Sequence, residues 1–491
     1  MAQSGSPSGG QQTDRLRRDA LGVAAVTFFV VSAAAPLTAV AGGYPIAMLL
    51  GNGTGVPAAV VIVTLILLLF SVGYTAMARH IANAGSFYAF TSRGLGGVAG
   101  GAAAYVAVLA YNTMQIGLYG LFGAVTAGTL SSLPGIGPVV ASWPWWLWSL
   151  IGMAIVGIMG YRKIDLSAQV LAVLVCVEYI AVLILDAVII AKGGDSGNSI
   201  VSFTPTAFMS GSPVIGMLLC FAAFMGFEAT TIYSEEAKDP SRTVPRATYL
   251  SVLIIGIFYA VSTWCMVNGE GADKLMATLG GLKDPTTFVF TLSDRYVGGW
   301  LTTIMSLLLI SSVFAALLAF HNAAARYFYV LGREGLLPAH LGQTHDEHQS
   351  PHLGSLLQSV LALIVLLIFV VEDQDPVLAL FTWLTNLATL SVITLMCLVS
   401  FAVFAFFRRK PDLAPSAFKA SLAPLAAGIM LGIVALMVVV HFPDLTGANM
   451  TLAYSFVVLV PIAAVLGAIV AAKLKSASSS RFAELGAHQA E

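Results

Sequence analysis

Charge is scarce in this chain: 10% of its 491 residues are Asp, Glu, Lys or Arg, where a soluble domain carries roughly 25%. Together with 58% hydrophobic residues and a mean hydropathy of +0.88, that shortage excludes an ordinary water-soluble fold and predicts a polytopic membrane protein. Net charge is nearly absent as well, with 23 Lys+Arg against 24 Asp+Glu, so the overall balance gives no ground for a nucleic-acid partner. Cysteine is sparse. Cys176, Cys220, Cys265 and Cys397 lie in apolar stretches without motif spacing, which predicts small core residues, no disulfide framework and no metal site. The chain also lacks a phosphate-cradling Gly-Lys-Ser/Thr loop, a His-Glu-x-x-His pair and a Gly-x-Ser-x-Gly elbow. Nothing points to an enzyme, a cofactor or ATP-driven pumping.

What the chain has is long apolar runs, and a bilayer core needs about 20 such residues per spanning helix. Segments of that kind fall near 20–50, 56–78, 97–130, 143–160, 165–191 and 212–233, then near 246–268, 299–325, 355–371, 376–407, 422–441 and 450–472. The expectation is an all-α protein with 12 transmembrane helices. Arg15-Leu16-Arg17-Arg18 before the first run resembles a secretory signal, but so many later runs of similar length favour a retained first helix. With the N-terminus in the cytoplasm and strict alternation, nineteen of the 23 Lys and Arg residues collect on the cytoplasmic side. Only Lys192, Lys274, Lys283 and Arg295 are left outside. This asymmetry predicts a multi-pass plasma-membrane protein with both termini cytoplasmic. The polar, small-residue ends, 1–19 and 473–491, read as disordered cytoplasmic segments.

Two runs look broken. The first holds "SAAAPLTAVAGGYP", where Pro36 lacks an amide donor and Gly42-Gly43 weaken the helix, and the sixth holds Gly226 in "FAAFMGFEA" just before Glu228. Broken helices survive at membrane depth only where protein buries them or where they line a cavity. The two breaks open two five-helix halves, 20–191 and 212–407, leaving 422–472 outside the repeat. Corresponding interruptions predict a carrier with an inverted 5+5 repeat and a mid-membrane site.

Three stretches, "GFEATTIYSEEAKDPSRTVPRA", "NAAARYFYVLGREGLLPAHLG" and "NAGSFYAFTSRGLGG", resemble motifs of amino acid/polyamine/organocation (APC) superfamily permeases. The resemblance implies a leucine-transporter-type fold carrying an amino acid or amine through the lipid bilayer. One departure stands out. Many such permeases have a Gly-Ser-Gly break in the first helix, whereas this chain has Ala34-Ala35-Pro36-Leu37-Thr38. Amides at Ala35, Leu37 and Thr38 can still donate, Pro36 cannot, and an amine without a carboxylate becomes a second substrate class.

The candidate substrate site is therefore Ala34, Ala35, Pro36, Leu37 and Thr38 with Phe221, Ala222, Phe224, Met225 and Gly226. Exposed amides suit a substrate carboxylate, and unwound carbonyls suit its ammonium. The resemblance makes Phe221 and Phe224 the gate. Asn112 and Gln115, beside Tyr111, either line the pocket or join neighbouring helices, and Trp383 and Asn386 are weaker candidates of the same kind. Glu178 lies midway in its segment, where an acid costs on the order of 2.5–3.5 kcal/mol to insert. In the resembling fold that position serves a coupling cation or a protonatable side chain, with Ser311 and Ser312 as hydroxyl partners; the expectation is proton symport through Glu178, with sodium coupling, exchange without an ion gradient, and a permanently protonated structural Glu178 as the alternatives. Glu228 is expected to organise the sixth-helix break and gate. Asp186 reads as hydrated, and Glu235 to Pro240 as a solvated loop with an internal gate salt bridge as the alternative. The histidines of "HLGQTHDEHQSPH" match no zinc spacing and read as solvated.

Overall fold

The computed structural model describes Leu16, residues 19–161 and residues 164–487, apart from the side chains of 164–168, 170 and 171. The predicted disorder of the opening and the basic residues Arg15, Arg17, Arg18, Arg162 and Lys163 lie outside the described residues. Among the described residues the architecture is all helical, with a single isolated two-residue bridge, Leu21 to Ala237. Ten helices among the described residues are long and apolar enough to cross a membrane. Two of the twelve expected runs fall short of that measure. Trp145–Tyr161 is apolar but has 17 residues, and the 36-residue Gly97–Ser132 is diluted by glycines, Asn112 and Gln115.

In chain order the first helix is α1 (Val23–Ala33), a short α2 (Pro36–Thr38), a π-helical turn at Ala39–Gly43 and α3 (Tyr44–Leu50). Next come α4 (Val56–Ala78), α5 (Phe87–Leu95), α6 (Gly97–Ser132), α7 (Trp145–Tyr161) and α8 (Ile164–Lys192). The sixth run is split into α9 (Pro213–Ala223) and a 3₁₀ turn at Phe227–Thr231. Then follow α10 (Pro240–Glu270), α11 (Gly299–Glu334), α12 (His352–Val371), α13 (Thr382–Arg409), α14 (Ala423–Val440) and α15 (Met450–Ala477). A short α16 (Ser479–Ala483) is the last described helix. The most apolar window of Val23–Leu50 is 72% buried and that of α15 only 17%. The broken first helix is therefore central and α15 peripheral.

Hydrogen bonds define the two ends of the bundle. At one end the Ala20 and Leu21 amides donate to Glu236 O at 3.0 Å, and Arg409 NH1 reaches Gly94 O at 3.0 Å. This end carries Arg79, Arg333 and Arg409, and is called the basic end below. At the far end the Ser212 amide meets Gly51 O at 2.9 Å and Lys274 Nζ meets Asp195 Oδ2 at 2.7 Å.

The tail departs from expectation through Ala487. Ser478 caps α16, Phe482 lies over Gly97, and the Gly486 amide donates to Glu334 Oε2 at 2.7 Å. Leu485 is buried. Apolar Phe482 and Leu485 give this polar-looking segment a surface to pack with, which its composition conceals.

Candidate functional site

Both predicted breaks are present, and they face each other. Ala35 adopts a left-handed backbone at φ 46°, ending α1, and proline at 36 removes the next amide. Gly226 has φ 107°, and a Cβ there would come within 2.5 Å of the Ala33 Cβ. Only glycine allows both that backbone and that approach.

Between the breaks lies a cavity of about 190 Å³. Ala33, Ala34, Ala35 and Ala39 form one wall, Ala222, Ala223 and Met225 the second, and Met114, Leu118 and Phe320 a third. A fourth wall comes from α13, whose preceding π-helical turn at Pro376–Phe381 turns Phe381, Thr382, Thr385 and Asn386 inward. Such turns often mark functional sites. Half-exposed Leu50, with Ile215 and Leu445, carries the cavity toward the far end. Among the described residues no Asp, Glu, Lys, Arg or His lines it.

The amides at the breaks are already engaged. In the first helix, Ala34 N–H donates to Val30 O at 3.2 Å, Ala35 N–H to Ser32 O at 3.0 Å and Ala39 N–H to Ala35 O at 2.9 Å. Thr38 N–H donates to Ser312 Oγ at 3.2 Å, and its hydroxyl donates to the same oxygen at 3.1 Å. Having accepted twice, Ser312 keeps its own proton to offer. Beside it sits Glu178, fully buried, with the Ser312 hydroxyl and the Leu37 amide nearby. Neither carboxyl oxygen completes a well-formed hydrogen bond. In the sixth helix, Phe224 N–H donates to Phe221 O at 3.1 Å and Met225 N–H to Ala222 O at 3.2 Å. Gly226 N–H is held by Glu228 Oε2 at 2.9 Å, while Tyr111 donates to Glu228 Oε1 at 2.8 Å. Tyr259 joins the two breaks. Its hydroxyl donates to Ala34 O at 2.8 Å, and the Phe224 ring meets its own edge-on at 5.6 Å.

The basic end is shut. Arg326 grips Glu236 through Nε at 2.6 Å and NH2 at 2.8 Å, and Arg333 grips Glu235 at 2.8 and 2.7 Å. The Ala84 amide adds a bond to Glu235 Oε1 at 3.0 Å, while Glu334 accepts from Asn83 at 2.8 Å and Tyr88 at 2.5 Å. Above these, Tyr74 donates to Glu228 O at 2.7 Å and meets Ser86 and Thr231. Glu235 and Glu236 therefore have buried carboxylates held in ion pairs, the alternative to a solvated loop, while Lys238 and Asp239 of the same run are exposed as a solvated loop would be.

Several candidates sit elsewhere. Gln115 turns behind the cavity, donating to Tyr119 OH at 3.1 Å and pairing with His321 Nδ1 at 2.9 Å and with Gln358. His321 continues to Ser355 at 2.6 Å. Asn112 donates to Val108 O at 2.7 Å and does not line the cavity. Phe221 and Phe224 lie in a small adjoining void with Glu228 and Met396, so the rings on the main cavity are Phe320 and Phe381. Ser311 bonds its own helix at Leu308 O, 2.8 Å, leaving Ser312 alone with Thr38. Asp186 is buried against Ser262 at 2.7 Å instead of being hydrated. His345, His348 and His352 pack half-buried around Tyr161, with ring centroids 5.0, 6.1 and 5.9 Å away.

A cavity between two helix breaks, in a bundle of helices long enough to cross a bilayer, is the arrangement of a membrane transporter with a small-molecule site. The family profile described as amino acid permease matches residues 26–470. The chain belongs to the amino acid permease family, within the superfamily that its motifs resemble. Among its relatives, the low-affinity putrescine importer PlaP of Escherichia coli (strain K12) is 24% identical over 393 residues, 77% of this chain and 79% of the relative. The branched-chain amino acid permease BcaP of Bacillus subtilis (strain 168) is 24% identical over 390 residues, with the same coverage of 77% and 79%. The cystine/glutamate transporter of Pongo abelii is 23% identical over 233 residues, 44% of this chain and 42% of the relative.

Proposed function

We propose that this permease is a secondary active importer of the plasma membrane. It works by alternating access, with twelve spans, a 5+5 inverted repeat, and the basic end and both termini in the cytoplasm. The observation that carries this reading is a cavity at two facing helix breaks, directed to the far end and shut at the basic end by buried ion pairs. Opening that end requires parting Arg326 from Glu236 and Arg333 from Glu235. The substrate is a small ammonium compound: an amino acid, as the family description and the name of BcaP suggest, or an amine, as the name of PlaP suggests.

Proton symport is the favoured coupling. Glu178 is a buried acid touching both the first-helix break and α11, so its protonation bears on the element that must move. The second reading is sodium coupling, because Glu178, Thr38 and Ser312 supply oxygens of the kind hard cations accept. Uptake into proteoliposomes under separately imposed proton and sodium gradients, with a panel of amino acids and amines, tests both. Accumulation driven by neither gradient, with exchange only, removes symport.

A further inference from the structure

Donors and acceptors around the cavity are unequally left over. Among the described residues four polar side chains line it: Thr38, Thr382, Thr385 and Asn386. Each hydroxyl proton is already used. Thr38 gives its proton to Ser312 at 3.1 Å, Thr382 to Val377 O at 2.7 Å and Thr385 to Phe381 O at 2.8 Å. The Asn386 amide nitrogen is held by two main-chain carbonyls, Thr382 O at 2.9 Å and Leu445 O at 3.2 Å. Both of its hydrogens are therefore occupied and the amide cannot reverse, which leaves Oδ1 as the acceptor it offers.

The backbone tells the same story. Two amides that a substrate carboxylate would use are engaged within the protein, Thr38 N–H by Ser312 and Gly226 N–H by Glu228, and Leu37 does not line the cavity. What remains is acceptors. The carbonyls of Val30, Ser32, Phe221 and Ala222 already accept from amides beyond the helix ends, but those of Ala33 and Ala223, the last residues of α1 and α9, stand at the cavity, where a helix C-terminus carries partial negative charge.

We infer that the cavity takes a primary aliphatic ammonium with an apolar body and no carboxylate, its nitrogen seated on Thr382, Thr385 and Asn386. The assignment rests on the carrier reading above and narrows its substrate class. Positions i, i+3 and i+4 share one helix face, so three acceptors stand where the three N–H donors of one ammonium can meet them. The alanine, leucine and methionine walls take the hydrocarbon. A carboxylate entering the same space meets acceptors only, and freeing an amide for it breaks a bond that the protein already makes. A diamine fares little better. Its second ammonium lies against walls that, among the described residues, carry no acid.

The test uses the full chain in lipid nanodiscs, with calorimetric binding of 3-methylbutylamine, leucine and putrescine at neutral pH. Binding of 3-methylbutylamine at least about tenfold tighter than that of either competitor, a gap of ~1.4 kcal/mol, supports the assignment. Leucine or putrescine binding as tightly overturns it, and so does failure of 3-methylbutylamine to bind. Asn386→Leu is expected to weaken the amine about tenfold, the same ~1.4 kcal/mol step, and an unchanged affinity overturns the seat. If that variant is not monodisperse, Thr385→Val carries the same expectation. Counterflow in proteoliposomes separates the two readings: tight amine binding without counterflow strikes the carrier, whereas counterflow of leucine in preference to the amine strikes only the substrate class.

Discussion

Arg326 and Glu236 form a two-pronged ion pair, at 2.6 and 2.8 Å, with both side chains almost wholly buried at the basic end of the bundle. The guanidinium also donates to Asn322 O at 2.8 Å and lies 5.1 Å from the centre of the Tyr233 ring. A pair of charges buried this deeply has a clear signature. Removing one partner strands the other, so Glu236→Ala is expected to lower stability by about 3–5 kcal/mol. Replacing both partners by apolar residues of similar volume, Glu236→Leu with Arg326→Met, is expected to recover most of that loss. Denaturant titration of the two variants checks it. A single variant as stable as the parent contradicts the pairing.

Glu178 is expected to govern coupling and not occupancy. It meets Ser312 and the Leu37 amide but does not line the cavity. Glu178→Gln keeps the size and hydrogen-bonding capacity while removing the titrating group, so substrate binding persists and uphill uptake driven by a proton gradient is lost. Unchanged pH-driven accumulation takes Glu178 out of the mechanism.

The two breaks differ in the residue that makes them. Ala35 holds a left-handed backbone at φ 46° without being glycine. Ala35→Gly trades roughly 1–2 kcal/mol of backbone strain against roughly 0.5–1 kcal/mol of glycine entropy, and is expected to be neutral or slightly stabilising. Gly226→Ala goes the other way, since its φ of 107° and the Ala33 methyl 2.5 Å away both oppose a side chain. A loss of roughly 1–3 kcal/mol is expected, together with loss of uptake. Equal stability of the two variants speaks against this backbone geometry.

At the far end, Lys274 Nζ lies 2.7 Å from Asp195 Oδ2 on exposed loops. Hydrogen bonds from Lys274 and Ser196 hold the Asp195 carboxyl below its usual range. A carboxylate lowered in the folded state stabilises fully above its unfolded pKa of about 3.9. That contribution fades as the pH falls through the lowered folded value. Lys274→Met is therefore expected to move the Asp195 titration upward, read by carboxyl ¹³C NMR. An unmoved titration removes the pair.

Much of this architecture is legible in the chain because its cause is local. Pro36 and Gly226 mark the breaks through their own backbone chemistry, and the apolar runs mark the helices by length. Glu228 could be tied to the sixth-helix break because it stands two residues from Gly226. The cavity's polar wall was harder to read. Asn386 is one amide among several in apolar helices, and nothing local separates it from Asn112 or Gln115. Only the packing of α13 against the Phe442–Thr446 segment, which supplies Leu445 O, turns Asn386 to the cavity, while His321 and Gln358 draw Gln115 away. The burial of Glu235 and Asp186 was hidden for the same reason, since Arg333 lies 98 positions from Glu235, and Ser262 lies 76 from Asp186.

By itself, then, the sequence determined a membrane-crossing bundle, two interrupted helices and an acid at the middle of another, because hydrophobic length and backbone stiffness act over a few residues. Tertiary structure decided which polar groups face the cavity and which face one another. A helix shows every side to its sequence, and only its neighbours settle which side is turned inward.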